Sequence, residues 1–566
     1  MRIGDDRIPC IRQAWRLFFH LCSFVGLATQ PVLAQDKFHF VDNHRAAGIV
    51  HTHRCAGDRP LLPRLMVAGM AILDYDNDGW LDIYMLNQGP VPTLGLVKSE
   101  IESGISNRLY RNVGGTFVDV TESAQVGSGS FSLGVVAGDL DNDGDQDLII
   151  SNYGPAELFL NNGDGTFSKQ STAMGISGQT NPFGAGIALL DIDSDGALDL
   201  FLGNYVDFSM SRFESAIQSS FPYPPGPKDF PASKDQLFRN RRDGTLEDVT
   251  VSSNIARFPG PTMGVISGDW DDDGDPDLFL CSDAAPNQLF ANDGHGRFTE
   301  QAVEMGLAFD VAGNVNGSMG VDAGDYDGDG KIDLLVTNYT GQVPVLYRNL
   351  GSGVFEDVTR QSRVGRSLQP HTNWGVSWND FDLDGDLDAF IANGHFLKNI
   401  QEIDDRTTFK VANTLMENEG NQFKDASRYA GPAFSHVESS RGAAFGDLDN
   451  DGDIDGIVMN ADAEPTYLCN ETQTKGAWIA VELIGVMSNR DGVGAKVTVS
   501  ADGKEFVSCV HAGRGYQSHY GTRLHFGLGE RTKIGWIEVK WPSGHKERFR
   551  GGRVGSKVQL VEGHGQ

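Results

Sequence analysis

Between about residue 74 and residue 460 the chain repeats one alternation, a dense cluster of carboxylates broken by a glycine and followed by a short apolar run. The runs are Ile83-Tyr-Met-Leu, Leu148-Ile-Ile, Leu200-Phe-Leu, Leu278-Phe-Leu, Leu334-Leu-Val, Ala389-Phe-Ile and Gly456-Ile-Val. Runs this short, bounded by turn residues, predict buried β-strands. Each unit also carries a strand ending in asparagine, such as Asn107-Arg-Leu-Tyr-Arg-Asn112, Gln236-Leu-Phe-Arg-Asn240, Asn287-Gln-Leu-Phe-Ala-Asn292 and Val345-Leu-Tyr-Arg-Asn349. Tight turns such as Asn162-Gly-Asp-Gly165 follow, which is hairpin chemistry. A further short strand reads Phe-x-Asp at Phe117, Phe355 and Phe423, with variants at Phe167, Leu246 and Phe298.

Successive clusters begin 52 to 78 residues apart, room for a four-stranded sheet with insertions and too long for a nine-residue calcium β-helix repeat. Seven such sheets set radially make a β-propeller. The expected fold is therefore all-β: a seven-bladed β-propeller over residues 36–470, with a small C-terminal β-sandwich-like domain over 471–566. No Phe-x-Asp segment follows the last unit at Tyr467-Leu-Cys-Asn470, whereas one stands at the start as Phe40-Val-Asp42. The N-terminal strand is expected to complete the last blade.

The carboxylate clusters carry the candidate chemistry. Each places Asp at positions 1, 3, 5 and 9 and Gly at position 6. The ligand candidates are Asp74, Asp76, Asp78 and Asp82 in loop 1; Asp139, Asp141, Asp143 and Asp147 in loop 2; and Asp191, Asp193, Asp195 and Asp199 in loop 3. Loop 4 has Asp269, Asp271, Asp273 and Asp277, and loop 5 has Asp325, Asp327, Asp329 and Asp333. Loop 6 has Asp380, Asp382, Asp384 and Asp388, and loop 7 has Asp447, Asp449, Asp451 and Asp455. Hard oxygens this close repel one another unless a hard cation sits among them, and Ca²⁺ takes six to eight oxygens. An EF-hand needs a bidentate Glu at position 12, where this chain has Met85, Ile150, Leu202, Leu280, Val336, Ile391 and Val458. About seven calcium sites of another kind are expected.

The formal charge of −31 then has a local cause, because seven loops of four Asp supply −28 of it. So acidic a chain does not seek nucleic acid or an anionic membrane. Residues 1–34 read as an export signal: Arg2, Arg7, Arg12 and Arg16 precede an apolar run from Leu17 to Ala28, and Val32-Leu-Ala34 is a cleavage site. The mature chain is expected outside the cytoplasm, secreted or at a periplasmic or cell-surface location. Cys55, Cys281, Cys469 and Cys509 have no metal-site spacing; one disulfide is open to them, with Cys469 and Cys509 nearest in sequence. His51-x-His53 beside Cys55 is read as a plain loop in preference to a transition-metal site.

Five residues past the final Asp stand Asn87, Asn152, Asn204, Ser282, Asn338, Asn393 and Asn460. Asn at a strand end mimics backbone in turns, so these are expected to satisfy backbone groups. The segment that follows is long in three units, 88–106, 205–234 and 394–412. Long loops on a rigid scaffold are where recognition residues collect, and Phe221-Pro-Tyr-Pro-Pro-Gly has the composition of a contact surface. The tail lacks Asp loops. It carries strand-like runs at Trp478, Ala495 and Trp536, and the motifs Ser488-Asn-Arg-Asp-Gly-Val-Gly494, Gly513-Arg-Gly-Tyr516, His525-Phe-Gly-Leu-Gly529 and Trp541-Pro-Ser-Gly544.

On these residues the repeats resemble the FG-GAP (VCBS-type) repeats of integrin-like propellers and the tail resembles the ASPIC/UnbV domain. The mature chain is thus similar to the cartilage acidic protein family in both halves and in the family's order. The resemblance implies a secreted or extracytoplasmic calcium-binding propeller with roles in adhesion and matrix contact. It carries the calcium ligands across loop by loop and brings no catalytic residue. The function expected is an extracellular binding or adhesion module for a protein or glycan. The alternative is a calcium-dependent lyase or cyclase working on a sugar or small metabolite at the channel or long-loop face, with His371, His395 and His436 as candidates. Against it, the chain has no Gly-x-Ser-x-Gly, His-Glu-x-x-His or phosphate-binding loop.

Overall fold

The computed structural model describes residues 37–566 apart from 55–59, 92–93, 95–104, 177–181 and 474–475. The expected export signal and Cys55 lie outside the described residues. Seven four-stranded antiparallel sheets follow one another along the chain. Their first strands are Met70–Leu73, Ser132–Gly138, Gly184–Leu190, Thr262–Gly268, Ser318–Gly324, Asn373–Asn379 and Ser440–Gly446. Each touches the next, and the last returns to the first, so the ring closes. Inner strands can lie this close because glycine sits where neighbours meet. A Cβ on Gly264 would stand 2.5 Å from the Met319 carbonyl oxygen, and one on Gly320 the same distance from that of Trp374.

Each Asp loop joins the first strand of a blade to the second, and the position-9 Asp is the first residue of that second strand, as in Asp82–Met85 and Asp147–Asn152. The apolar runs read from sequence are these second strands, buried at every position. Closure by the N-terminal strand is as expected. Phe40–Asp42 pairs antiparallel with Thr466–Asn470, Phe40 opposite Asn470, as the fourth strand of blade 7. The Phe40 ring meets those of Phe381 and Phe434 edge-on at 5.7 and 5.4 Å.

The tail forms two sheets. One is Lys504–Cys509, Lys496–Ala501, Ile534–Lys540 and Lys546–Arg550; the other is Leu524–Gly529, Ala477–Ile484 and Ser556–Val561. The core of the tail is continuous with that of the propeller. Val493, Val510 and Ala512 share one buried cluster with Val136, Leu140, Leu189 and Leu198 of blades 2 and 3. Residues 510–523, between two tail strands, enter the channel and bond to the inner strands. Leu189 N–H donates to the Ala512 carbonyl (3.0 Å), Val135 N–H to that of Gln517 (3.2 Å) and Ile72 N–H to that of His519 (3.0 Å), while Gly515 and Val321 exchange two bonds at 2.7 and 3.1 Å. Tyr516 and Tyr520 donate their hydroxyls to the carbonyls of Met66 and Val376 at 2.9 and 2.6 Å. The channel offered by the enzyme alternative is filled by the chain itself.

Two further differences have local causes. Cys469 sits in blade 7 and Cys509 packs against the blade 4 and 5 core, so no bridge joins them; Cys281, Cys469 and Cys509 are free thiols. Within the long segment 205–234, a helix Met210–Ser220 forms behind Ser209, whose Oγ accepts the Arg212 N–H (3.4 Å). Its Phe213 joins Phe208 and Phe230 in a rim cluster, while Phe221 remains 82% exposed. The segment thus packs over the rim and also presents an aromatic residue outward.

Candidate metal centres

The Asp loop builds itself from backbone hydrogen bonds. In loop 1, Asp74 accepts the N–H groups of Asp78 and Gly79 (3.0 and 2.9 Å), and Asp78 accepts that of Trp80 (3.0 Å). Loops 2, 3, 5 and 6 repeat the first pair of bonds on Asp139, Asp191, Asp325 and Asp380. Gly79 has φ +90°, a turn conformation that costs glycine nothing. The result gathers carboxylate oxygens. One oxygen from each of Asp74, Asp76 and Asp82 lies within 4.8 Å of the others, and so do those of Asp139/Asp141/Asp147, Asp191/Asp193/Asp199, Asp269/Asp271/Asp273 and Asp325/Asp327/Asp333, with two more such groups. Oxygens on opposite sides of a Ca²⁺ ion stand roughly 4.6–5.2 Å apart, given bonds of about 2.3–2.6 Å.

Buried oxygens without a partner test the fit. Asp76 Oδ1, Asp193 Oδ1, Asp269 Oδ1, Asp447 Oδ1 and Asp453 Oδ1 are buried and accept no hydrogen bond, a costly state for a carboxylate unless a cation takes the lone pair. Burial, reinforced by neighbouring carboxylates and opposed by backbone N–H bonds, pushes the Asp82, Asp277 and Asp333 carboxyls up to about 8. Asp147, Asp199, Asp388 and Asp455 rise well above the usual range for the same first cause. The donor set is all oxygen and crowded with negative charge, the chemistry a hard divalent cation relieves. These residues fit a metal.

The position-9 Asp does a second job. Its Oδ1 accepts the N–H of the Asn ending the third strand in every blade: Asn112, Asn161, Asn240, Asn292, Asn349, Asn418 and Asn470, at 2.7–2.9 Å. Protein cations also reach some loops. Arg111 meets Asp76 and Asp78 (2.6 and 3.0 Å), Arg239 meets Asp193 (2.7 Å), Arg348 meets Asp327 and Asp329 (2.7 and 3.2 Å), and Lys37 meets Asp382 and Asp384 (2.5 and 3.0 Å). The strand-end asparagines serve backbone groups as expected. Asn152, Asn204, Asn338, Asn393 and Asn460 donate to the carbonyls of Pro155, Lys234, Val343, Ala412 and Glu464.

The histidines proposed for catalysis have separate partners. His395 Nδ1 accepts the Leu397 N–H and its Nε2 faces the Tyr339 hydroxyl at 3.3 Å, while His436 pairs with Asp42. His371 Nδ1 is buried without a partner. His51 and His53 are buried, and burial depresses His51 to about 4 and His53 to about 3.

Fold and loops together define a propeller of repeated acidic loops suited to a metal, closed at its channel by its own C-terminal domain. The FG-GAP-like repeat family matches residues 74–150, 139–202, 269–336 and 325–391, and the ASPIC and UnbV family matches 485–566. The chain is an FG-GAP-repeat propeller with an ASPIC/UnbV domain, and it is related to cartilage acidic protein 1. It is 26% identical to that protein of Xenopus tropicalis over 513 residues, 85% of this chain and 71% of the relative. With the Homo sapiens protein it shares 22% over 523 residues, 88% and 72% of the two chains.

Proposed function

We propose that the protein is an exported, calcium-stabilised β-propeller that acts as an extracellular binding module, holding a long-loop face rigid for a protein or glycan ligand. The Asp residues of loops 1 to 7 are the proposed ligands, about one calcium per loop. The observation that carries this reading is the set of buried carboxylate oxygens left without partners inside the loops. Calcium bound there supplies positive charge that lets the crowded carboxylates stay ionised. The chain's own part is to place four Asp per loop on a turn already fixed by backbone N–H bonds, and to tie each loop to its blade through the position-9 Asp. The relatives named cartilage acidic protein 1 support an extracellular setting, and none of the described helices is long and apolar enough to cross a membrane.

The ligand face is proposed at segments 205–234 and 394–412, where Phe221 and Tyr223 are exposed. Melting in calcium and in excess EGTA tests the scaffold. Ions that bind only the folded chain add their binding free energy to stability, and at extracellular-type affinities of about 10⁻⁴–10⁻³ M millimolar calcium is needed for the full effect. A melting curve unchanged by chelator would overturn the calcium reading. A glycan and protein array probed with and without EGTA tests the binding module, with Phe221→Ser as the variant expected to lose signal.

A further inference from the structure

The fourth residue of every Asp loop stands in the left-handed region: Asn77, Asn142, Ser194, Asp272, Gly328, Leu383 and Asn450 have φ between 55° and 70°. Where it is asparagine, its amide donates to the glycine carbonyl of the next loop round the ring. Asn77 reaches Gly144 (3.3 Å), Asn142 reaches Gly196 (2.9 Å) and Asn450 reaches Gly79 (3.5 Å). In loops 4, 5 and 6 the fourth residues are Asp272, Gly328 and Leu383, and none of these side chains, with the Asp ionised, has a hydrogen to donate. The glycines beyond them are served from the tail. Gly330 accepts from Lys496 Nζ (2.9 Å), Gly385 from Lys504 Nζ (3.2 Å) and Gly452 from His525 Nε2 (3.0 Å).

The peptide that is gripped matters to the metal site. Its carbonyl is that of position 6, and its N–H, on position 7, donates to the position-5 Asp: Lys331 to Asp329 (3.0 Å), Asp386 to Asp384 (3.1 Å) and Asp453 to Asp451 (3.1 Å). Fixing that peptide plane therefore aims a carboxylate, and it also sets the position-7 carbonyl that follows. Metal sites depend on such outer partners, whose loss weakens binding roughly 10–100-fold.

We propose that Lys496, Lys504 and His525 of the C-terminal domain are the positioning residues of calcium loops 5, 6 and 7, replacing there the asparagine that each of loops 7, 1 and 2 extends to its neighbour. The proposal rests on the calcium reading of the loops. It makes the ring two arcs: the glycine carbonyls of loops 1 to 3 each accept a neighbouring loop's asparagine, with Arg523 of the tail also on Gly79 at 3.3 Å, and those of loops 5 to 7 are held from the tail without an asparagine. Calcium uptake in the second arc and docking of the tail then favour one another, as linkage requires. Loop 4 is held at another atom, with Lys540 Nζ on Asp269 Oδ2 at 3.0 Å.

The test is a calcium titration, by calorimetry and by chelator competition, on three full-length proteins: the parent chain, Lys504→Met, and Lys504→Met with Gly328→Asn. Asparagine at 328 stands at the φ that Asn77 and Asn142 adopt, with Gly385 as its target in the next loop. The expected result is one site weakened roughly tenfold in Lys504→Met and restored by the second substitution. Lys504 also bonds Asp386 at 3.1 Å, so a lysine that merely competes with the ion predicts the opposite, tighter calcium in Lys504→Met. That result, an unchanged titration, or a failure of Gly328→Asn to restore the site overturns the proposal. A parent chain that takes up no calcium overturns the calcium reading itself, and the proposal with it.

Discussion

The backbone N–H of Asn112 donates to Asp82 Oδ1 at 2.7 Å, while the Asn112 side chain reaches the Leu448 carbonyl in the loop of the adjoining blade, also at 2.7 Å. The same linkage runs from Asn161 to Tyr75, Asn240 to Leu140, Asn292 to Ile192, Asn418 to Tyr326 and Asn470 to Phe381. A candidate metal ligand, a strand end and the preceding blade's loop are thus joined through one asparagine. Order in one loop is mechanically shared with its neighbour.

Asn161→Ala separates the linkage from the ligands. It removes the donor to the buried Tyr75 carbonyl, and a buried acceptor left unpaired costs about 1–3 kcal/mol. Denaturant unfolding should show a lower midpoint with the calcium count unchanged. Asp141→Ala should do the reverse, removing one calcium and leaving six, with little change in chelator. If Asp141→Ala abolished all binding, the loops would be one coupled cluster and not separate sites.

The pH response should change sign with calcium. In the metal-free protein Asp82, Asp277 and Asp333 are pushed up to about 8, against about 3.9 when unfolded. The folded chain then binds more protons across that window, so stability rises as pH falls from about 8 toward 4 and is lost as pH rises. With calcium the same groups are held ionised, and acidification expels the ion. Melting temperatures at pH 5 and 8, in EGTA and in calcium, should move in opposite directions; parallel shifts would contradict the assignment.

How much of this was legible from sequence depends on whether a signal is local. The loops, the second strands and the missing Phe-x-Asp at the C-terminal end are local patterns, so the propeller and its closure by Phe40 could be read. The position-9 Asp to third-strand Asn bond could have been found as well, since both residues recur in all seven units; only its meaning needed the structure. The helix Met210–Ser220 was hidden because Phe213 alone among its side chains is buried, which leaves a weak apolar period. The tail's hold on Gly330, Gly385 and Gly452 leaves no local trace. Lys496 and Lys504 look like any strand lysines until the fold sets them against loops more than a hundred residues away.

The N-terminal strand should behave as a latch. Phe40 is 1% exposed, and truncating a buried Phe to Ala typically costs about 3–5 kcal/mol. Phe40→Ala should lower the melting temperature, and deletion of residues 36–44 should expose the Thr466–Asn470 edge and promote aggregation. Light scattering and soluble yield report both. A deletion variant as soluble and stable as the full chain would mean that the pairing contributes nothing to closure.

Removing the tail should be severe, because residues 510–523 thread the channel and the tail shares its core with blades 2 and 3. Truncation from Lys475 onward strips cover from Val136, Leu140, Leu189 and Leu198, which are at most 2% exposed in the intact chain, and apolar area costs roughly 25 cal/mol per Å² when returned to water. The inner-strand N–H groups can bond to water that enters the emptied channel, so their loss is the smaller part. Low soluble yield and a broad melt, poorly rescued by calcium, are expected from the truncated chain. Tyr516→Phe is the mild counterpart: it deletes one buried hydroxyl bond to the Met66 carbonyl, worth about 1 kcal/mol, and keeps the ring edge-on to Trp374 at 5.1 Å. A truncated propeller that melts sharply at the parent temperature would show that the shared core is dispensable, and that the blades hold their ring without the plug.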